Sequence, residues 1–163
     1  MPKLIRQLNS KIWLDRQIAE ELGGLQADAL KNFKTSENTL SVFKVDEDNR
    51  QESVIRILVA LACGRQSLDK VDYALFDSDI IKKLDIQFDE IEGTTPDQTV
   101  NKLHIDLKKL SGNIICELAK SIQNSGEIDR LYPKDIERAI NKGIEKKQLQ
   151  VEKISSQLLG KIK

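Results

Sequence analysis

The sequence predicts an α+β protein dominated by helices, with a small sheet of two or three strands and a long C-terminal antiparallel helical hairpin. Apolar residues recur at helical spacing through most of the C-terminal half. Alternating β-branched and aromatic runs occur only between residues 39 and 91. An all-α fold is the structural alternative. We expect a small α+β domain over residues 1–94 and a helical hairpin over residues 95–163, packed on that domain or extending from it, as one folding unit.

The composition is that of a folded chain whose charge is unevenly placed. The chain has 163 residues, of which 39% are hydrophobic and 32% charged, and this excludes disorder throughout. The net charge is zero. Residues 134–163 nevertheless hold eight Lys or Arg against four Asp or Glu, a net +4, and residues 1–16 hold four against one, a net +3. A basic C-terminal segment either contacts an acidic partner or nucleic acid, or presents a solvated helix face.

The N-terminal half is predicted to contain helices and three short strands. Residues 3–22 carry apolar side chains near helical spacing, and two glycines end that helix before a short helical piece at 25–33. Residues 53–63 are apolar almost all round, which predicts a helix at the centre of the core. Alternation predicts strands at 39–45, 71–76 and, more weakly, 86–91. The pattern does not fix whether the third strand pairs with the first or with the second.

The C-terminal half is predicted to form two long helices. The stretch 95–98 (Thr-Pro-Asp-Gln) has the pattern of a capping box with proline at the first helical position, and an apolar stripe follows as far as Ile122. Pro133 opens a second helix whose stripe continues to Leu158, although Gly143 weakens it by roughly 1 kcal/mol relative to alanine. The short connection between the two helices favours antiparallel packing.

The sequence contains no recognisable catalytic constellation, so we expect a non-catalytic protein without a cofactor or a bound metal. On the predicted helix, His104 and Asp106 are two residues apart and point to different sides, so they would not meet as a general-base pair. Cys63 and Cys116 lie in apolar runs and are expected to be structural rather than reactive. Two such cysteines do not form a secreted disulfide framework. With no signal core or membrane-length run, a cytoplasmic location without membrane contact is expected.

A divalent-metal-dependent enzyme is one functional alternative. It would draw on the acidic residues near the predicted strands, Asp72, Asp77 and Asp89, to hold the metal and activate water. The lysine that usually accompanies such carboxylates is missing from the strand at 86–91. A solvated acidic sheet edge or a partner surface is therefore the simpler interpretation.

A DNA-binding regulator is the other alternative. Residues 17–23 resemble the first half of a helix-turn-helix unit, but a second glycine stands where an apolar residue is expected. The would-be recognition helix at 26–33 offers a single basic residue to DNA. Clustering of four basic residues on one surface would favour this hypothesis; they are Arg6, Lys11, Arg16 and Lys31.

The preferred hypothesis is a non-catalytic protein–protein interaction module, such as an adaptor, an immunity or antitoxin-like partner, or an assembly subunit. Seven-residue spacings in the last predicted helix are typical of a coiled coil. The outer part of that helix is expected to extend beyond its neighbour and to bind another protein or a second copy of the chain. The expected contact residues are Val151, Ile154, Leu158 and Leu159. The alternative is that this helix closes its own core.

Overall fold

The centre of the fold is a six-stranded sheet, seen in a computed structural model that describes residues 2–162. Its strands are β1 (Lys3–Leu8), β2 (Leu40–Lys44), β3 (Val71–Asp77), β4 (Gln87–Asp89), β5 (His104–Lys108) and β6 (Glu127–Leu131). They lie side by side in the order β4-β5-β2-β1-β3-β6. Every neighbouring pair is antiparallel, which leaves β4 and β6 as the two edges.

Helices cover both faces of the sheet. The α-helices are α1 (Arg16–Leu22), α2 (Arg50–Ala62), α3 (Asp79–Lys83), α4 (Gln98–Asn101), α5 (Gly112–Ser125), α6 (Pro133–Glu145) and α7 (Ser156–Leu159). Short 3₁₀ helices lie at Lys11–Leu14, Ala27–Phe33 and Val151–Lys153. Of these elements α2, α5 and α6 are the long ones, with 13, 14 and 13 residues.

Two long crossovers place the helices on opposite faces. Since β2 and β3 both run antiparallel to β1, they are parallel to each other, and α2 connects them across one face. By the same reasoning β5 and β6 are parallel, and α5 connects them across the other face. A connection between parallel strands needs a long crossover, and a helix provides it.

The central strands bury both of their faces. In β1, Leu4 and Leu8 pack in the core under α5, whereas Ile5 packs in the core under α2 and α6. In β3, Phe76 belongs to the first core and Leu75 to the second. Strands that are covered on both sides do not show a simple apolar–polar alternation.

The predicted fold class is wrong in the size of the sheet and in the C-terminal hairpin. The sheet has six strands rather than two or three, and β5 and β6 come from the region expected to be entirely helical. The all-α alternative is wrong for the same reason. The strands expected at 39–45, 71–76 and 86–91 are confirmed as β2, β3 and the shorter β4. The helix expected at 53–63 is confirmed as α2, except that Cys63 is its C-cap residue. The third of these strands pairs with neither of the other two, because β5 lies beside it.

The helix expected over residues 3–22 is wrong in its first part. Residues 3–8 form β1, which is followed by a 3₁₀ turn, and only Arg16–Leu22 are α-helical. The apolar spacing of Leu4, Ile5 and Leu8 fits one face of a helix as well as it fits a strand buried on both faces. The pairing of these residues with β2 on one side and with β3 on the other decides the outcome.

The long helix expected after residue 95 is also wrong. Asp97, not Thr95, caps the four-residue α4, and β5 follows at once. Within β5 the buried Ile105 and Leu107 alternate with polar neighbours, a period of two. The helix α5 begins only after Ser111, whose hydroxyl accepts the amide N–H of Ile114.

The last helix is shorter than expected and does not extend from the domain. Helix α6 ends at Glu145, and Lys147 then adopts a left-handed conformation at φ 55°. The chain doubles back along α2, where the N–H of Gln150 donates to the carbonyl of Pro96 at 2.9 Å. Farther on, the N–H of Ser155 donates to the carbonyl of Cys63 at 3.0 Å. The seven-residue stripe therefore runs through three separate elements, not one coiled-coil helix.

Within residues 2–162, none of the helices combines the length and the apolar character that crossing a bilayer demands.

Candidate functional site

An open groove with a volume of about 970 Å³ lies between α2 and α6. This volume is at the upper end of the range for ligand-binding clefts. The residues that α6 and its C-cap contribute are spaced by three and four positions, so they form one stripe along the helix; they are Asp135, Arg138, Ala139, Lys142, Gly143 and Lys146. The α2 side contributes Glu52, Ile55, Arg56 and Val59 at the same kind of spacing, preceded by residues 48–51.

The stripe faces outward because the neighbouring face of α6 is fixed in the core. Ile136 and Ile140 are completely buried under the helix. Gly143 is required by a close approach, since a Cβ at that position would lie 2.8 Å from a methyl carbon of Leu149. The small residues Ala139 and Gly143 therefore keep the groove open while Leu149 closes its end.

The two walls of the groove differ in charge. On the α6 side, Arg138, Lys142 and the C-cap residue Lys146 are spaced by four and are all exposed. The Nη1 of Arg138 lies 3.7 Å from Asp135, whereas neither lysine forms an ion pair with another residue in the range 2–162. The opposite wall carries the carboxylates of Asp48 and Glu52, and the guanidinium of Arg50 between them is paired with Glu127. One wall thus presents uncompensated positive charge and the other presents negative charge.

The floor of the groove is apolar except for one ion pair. Ile55, Leu131 and Ala139 are half-buried, so part of each side chain faces the groove. Between them, Arg56 holds the carboxylate of Asp97, which is 1% exposed. An Oδ1 atom of Asp97 also accepts the amide N–H groups of Thr99 and Val100 at 2.8 and 3.2 Å. The carboxylate is fully bonded and fixes the guanidinium in place.

The four basic residues named for a DNA-binding surface do not form one exposed cluster. Burial lowers the pKa of Arg6 to about 10, and its guanidinium donates to the carbonyl of Ser41 at 2.8 Å. The guanidinium of Arg16 donates to the carbonyls of Gln123 and Gly126, beside a second cleft of about 530 Å³. The segment expected to be a recognition helix is a 3₁₀ helix, in which Lys31 pairs with a neighbouring carboxylate. Two of the four basic groups therefore bind the backbone of their own chain.

His104 and Asp106 do meet, contrary to the expectation from a helix. They lie on the same side of β5, and the Nε2 atom of His104 is 3.4 Å from Oδ1 of Asp106. The same carboxylate oxygen accepts the hydroxyl of Ser41 at 2.9 Å. The Nδ1 atom of His104 is 2.7 Å from the carbonyl of Ile91. The carboxylate lies between the serine and the histidine, so the imidazole is not placed to take the serine proton.

The acidic residues suggested for metal binding are engaged elsewhere. Asp72 is bound by Arg130 and by the N–H of Lys11, and Asp77 lies 3.1 Å from Lys3. Asp89 pairs with Lys108 on the edge of the sheet. Over residues 2–162, groups of three or more His, Cys, Asp or Glu in a ligating arrangement are absent.

The two cysteines are free thiols in different surroundings. Cys63 is fully buried, and this burial raises the pKa of its thiol to about 12. Cys116 on α5 is half-buried. Burial of the first thiol agrees with the structural role expected for it.

The residues expected to bind a partner lie in the returning C-terminal segment. Ile154 and Leu158 are buried, at 5% and 0% exposure, and belong to the core under α2 and α6. Val151 is 42% exposed and Leu159 packs partly against the same core. Of these four residues, only Val151 is exposed.

Sequence reasoning did not identify the groove. A signal for one wall was present, because three basic residues recur at every fourth position from 138 to 146. The opposite wall depends on the crossover that places α2 beside α6, which local patterns do not reveal.

Comparison with known proteins yields no match to a protein-family model, to a curated protein or to a solved structure. The fold and the groove define the class of this protein: a six-stranded antiparallel sheet between helical layers, with an open, charged groove on one layer.

Proposed function

We propose that this protein is a non-catalytic protein–protein interaction module whose binding site is the groove between α2 and α6. The observation that carries the proposal is the apolar floor beside two exposed lysines, Lys142 and Lys146, that lack a counter-ion among residues 2–162. A protein segment that presents apolar side chains flanked by carboxylates complements both features.

The charge of the second wall favours a protein partner over nucleic acid. Asp48 and Glu52 would repel a phosphate backbone laid along the groove. A protein segment differs from a phosphate backbone because it also has uncharged side chains, which can lie beside these carboxylates while its own carboxylates face the lysine wall.

Binding is proposed rather than catalysis because of the chemistry of the lining. The residues that line the groove within the described chain include neither histidine nor cysteine. The buried carboxylate of Asp97 is committed to Arg56 and to two amide groups. We place the protein in the cytoplasm, since two free thiols suit a reducing compartment.

The test uses a short synthetic peptide that alternates leucine and glutamate, titrated into ¹⁵N-labelled protein. We expect amide shifts along α2 and α6. We also expect the variant Lys142→Glu/Lys146→Glu to bind the peptide at least about tenfold more weakly, since each reversal removes an attraction and adds a repulsion. The matched control is Lys153→Glu/Lys161→Glu, which changes net charge equally at two exposed positions outside the groove.

Two results would contradict the proposal. One is an absence of peptide-induced shifts in the groove. The other is binding of a DNA duplex, with steep salt dependence, through residues whose amide signals the peptide does not shift.

A further inference from the structure

We propose that the segment that enters the groove belongs to a second copy of this chain: the acidic stretch at residues 87–92 (Gln-Phe-Asp-Glu-Ile-Glu), so that copies associate head to tail. This inference rests on the proposed function of the groove and names its partner.

The segment has the chemistry that the groove would recognise. All six of its residues are exposed. Phe88 and Ile91 are 50% and 47% exposed, and they lie only three residues apart. Carboxylates surround them at Asp89, Glu90 and Glu92. The pattern of apolar side chains flanked by negative charge matches the apolar floor beside the lysine wall.

The segment and the groove lie at opposite ends of the sheet. The segment includes the edge strand β4, whereas the groove is lined by Leu131 of the other edge strand, β6, and by α6. Five strand spacings of about 4.8 Å separate the two edges by roughly 24 Å. Since β4 is paired along its length with β5, the segment does not reach the groove of its own chain. Contact between two different surfaces is heterologous, and its repetition forms a ring or an open chain.

The ion pairs already made by the segment are easily exchanged. Glu90 contacts Lys44, and Asp89 contacts Lys108 at 2.5 Å, but all four side chains are exposed by 39% or more. Such surface pairs contribute little to stability. Glu92 forms no ion pair with the residues in the range 2–162. The carboxylates are therefore able to turn to the lysines of a neighbouring copy.

A six-residue segment buries less surface than a stable dimer needs, so the association is expected to be weak, with a Kd of about 10 μM to 1 mM. Sedimentation velocity of the full chain up to about 1 mM, at low ionic strength, measures it.

Two charge-reversed variants make the test specific. We expect Glu90→Lys/Glu92→Lys and Lys142→Glu/Lys146→Glu each to remain monomeric alone and to associate when mixed. In the mixture every reversed groove meets a reversed segment, and every native groove a native segment. Phe88→Thr should weaken association without any change of charge. Lys153→Glu/Lys161→Glu should associate like the unmodified chain.

Three results overturn the inference: an unmodified chain that stays monomeric at the highest concentration, association that survives both reversals, or reversed variants that fail to associate when mixed. Shifts with the leucine–glutamate peptide alongside any of these results would leave the groove as a binding site and remove only the second copy as its occupant. Thermal melts of each variant ensure that only folded chains are compared.

Discussion

Arg56 of α2 and Asp97, the residue before α4, form a two-point ion pair at the floor of the groove. The Nε atom of Arg56 lies 2.5 Å from Oδ2 of Asp97, and its Nη2 atom lies 3.0 Å from Oδ1. Asp97 is almost fully buried, and the side chain of Arg56 is 31% exposed. Because Asp97 also caps α4, this one carboxylate connects the groove, α2 and the loop that leads into β5.

Asp97→Ala is expected to lower the free energy of unfolding by about 3 kcal/mol or more, because it leaves a partly buried guanidinium without its partner and removes the helix cap. Asp97→Asn should cost less, since its side-chain oxygen still accepts the two amide N–H groups. Urea unfolding at neutral pH measures both. A loss below about 1 kcal/mol for the alanine variant would place this pair among ordinary surface ion pairs.

Asp72 predicts how stability depends on pH at the acid end. Burial raises the pKa of this carboxyl. The hydrogen bonds from Arg130 and from the N–H of Lys11, together with the charges of Arg130 and Lys70, lower the pKa by more than burial raises it, so the pKa is below the usual range. Because this pKa is lower in the folded state, the ionised carboxylate stabilises the fold at any pH above the unfolded-state pKa of about 4. The contribution is lost as the pH falls through the folded-state pKa.

The comparison of Asp72→Asn with the unmodified chain isolates this contribution. We expect the variant to be less stable at pH 7, with the difference shrinking progressively below about pH 4. Urea unfolding over that range measures the difference. Asp129→Asn, an exposed change on the neighbouring strand, serves as the control. A difference between Asp72→Asn and the unmodified chain that stays constant down to the lowest pH would contradict the role of the carboxylate charge.

Lys147 provides a test of backbone strain at the end of α6. Its φ is 55°, and the N–H of the next residue donates to the carbonyl of Gly143 at 2.8 Å, the closing bond of a Schellman motif. A left-handed conformation costs a non-glycine residue about 1–2 kcal/mol. Lys147→Gly is therefore expected to stabilise the protein by about 0.5–1 kcal/mol in urea unfolding, after the larger unfolded-state entropy of glycine is deducted.

Gly23 is the matched position for that experiment. It ends α1 with φ 73°, and a Cβ there would meet open space. Gly23→Ala should destabilise by about 1 kcal/mol through the backbone alone. If both substitutions change stability in the same direction, backbone conformation is not the cause.

Local patterns predict the elements whose residue types agree with the structure that they form, such as β-branched and aromatic residues in a strand or a long, mostly apolar run in a buried helix. The strand β2 and the helix α2 were predicted from their residues, and both lie where their patterns indicate. The strand β1 was not, because Leu4 and Leu8 face one core while Ile5 faces the other, and such a pattern also fits a helix. For β5, the helical spacing of Leu103 and Leu107 outweighed the alternation that is observed.

The candidate site depends on tertiary structure to a greater extent than the strands do. The spacing of Arg138, Lys142 and Lys146 is visible in the sequence. The opposing wall is not visible in the sequence, because α2 lies some eighty residues earlier in the chain and only the folded crossover places it alongside α6. Likewise Asp106 and Ser41 become neighbours only through the pairing of β2 with β5.

Leu158 and Val151 separate the two roles considered for the C-terminal segment. Leu158 is fully buried under α2, whereas Val151 is 42% exposed. If the segment closes the core, Leu158→Ala should cost about 3 kcal/mol, as expected for a buried leucine, and Val151→Ala should stay within about 0.5 kcal/mol of the unmodified chain. Truncation after Lys146 removes Leu149, Ile154 and Leu158 together, so that chain is expected not to fold.

Circular dichroism with urea titration measures all three variants. If the truncated chain is folded and unfolds cooperatively, the segment is not part of the core, and Ile154, Leu158 and Leu159 are again candidates for partner contacts. Because Val151 is the exposed member of the four, Val151→Asp distinguishes these outcomes further. It should leave stability unchanged under either role, and it should reduce association only if the segment itself binds a partner.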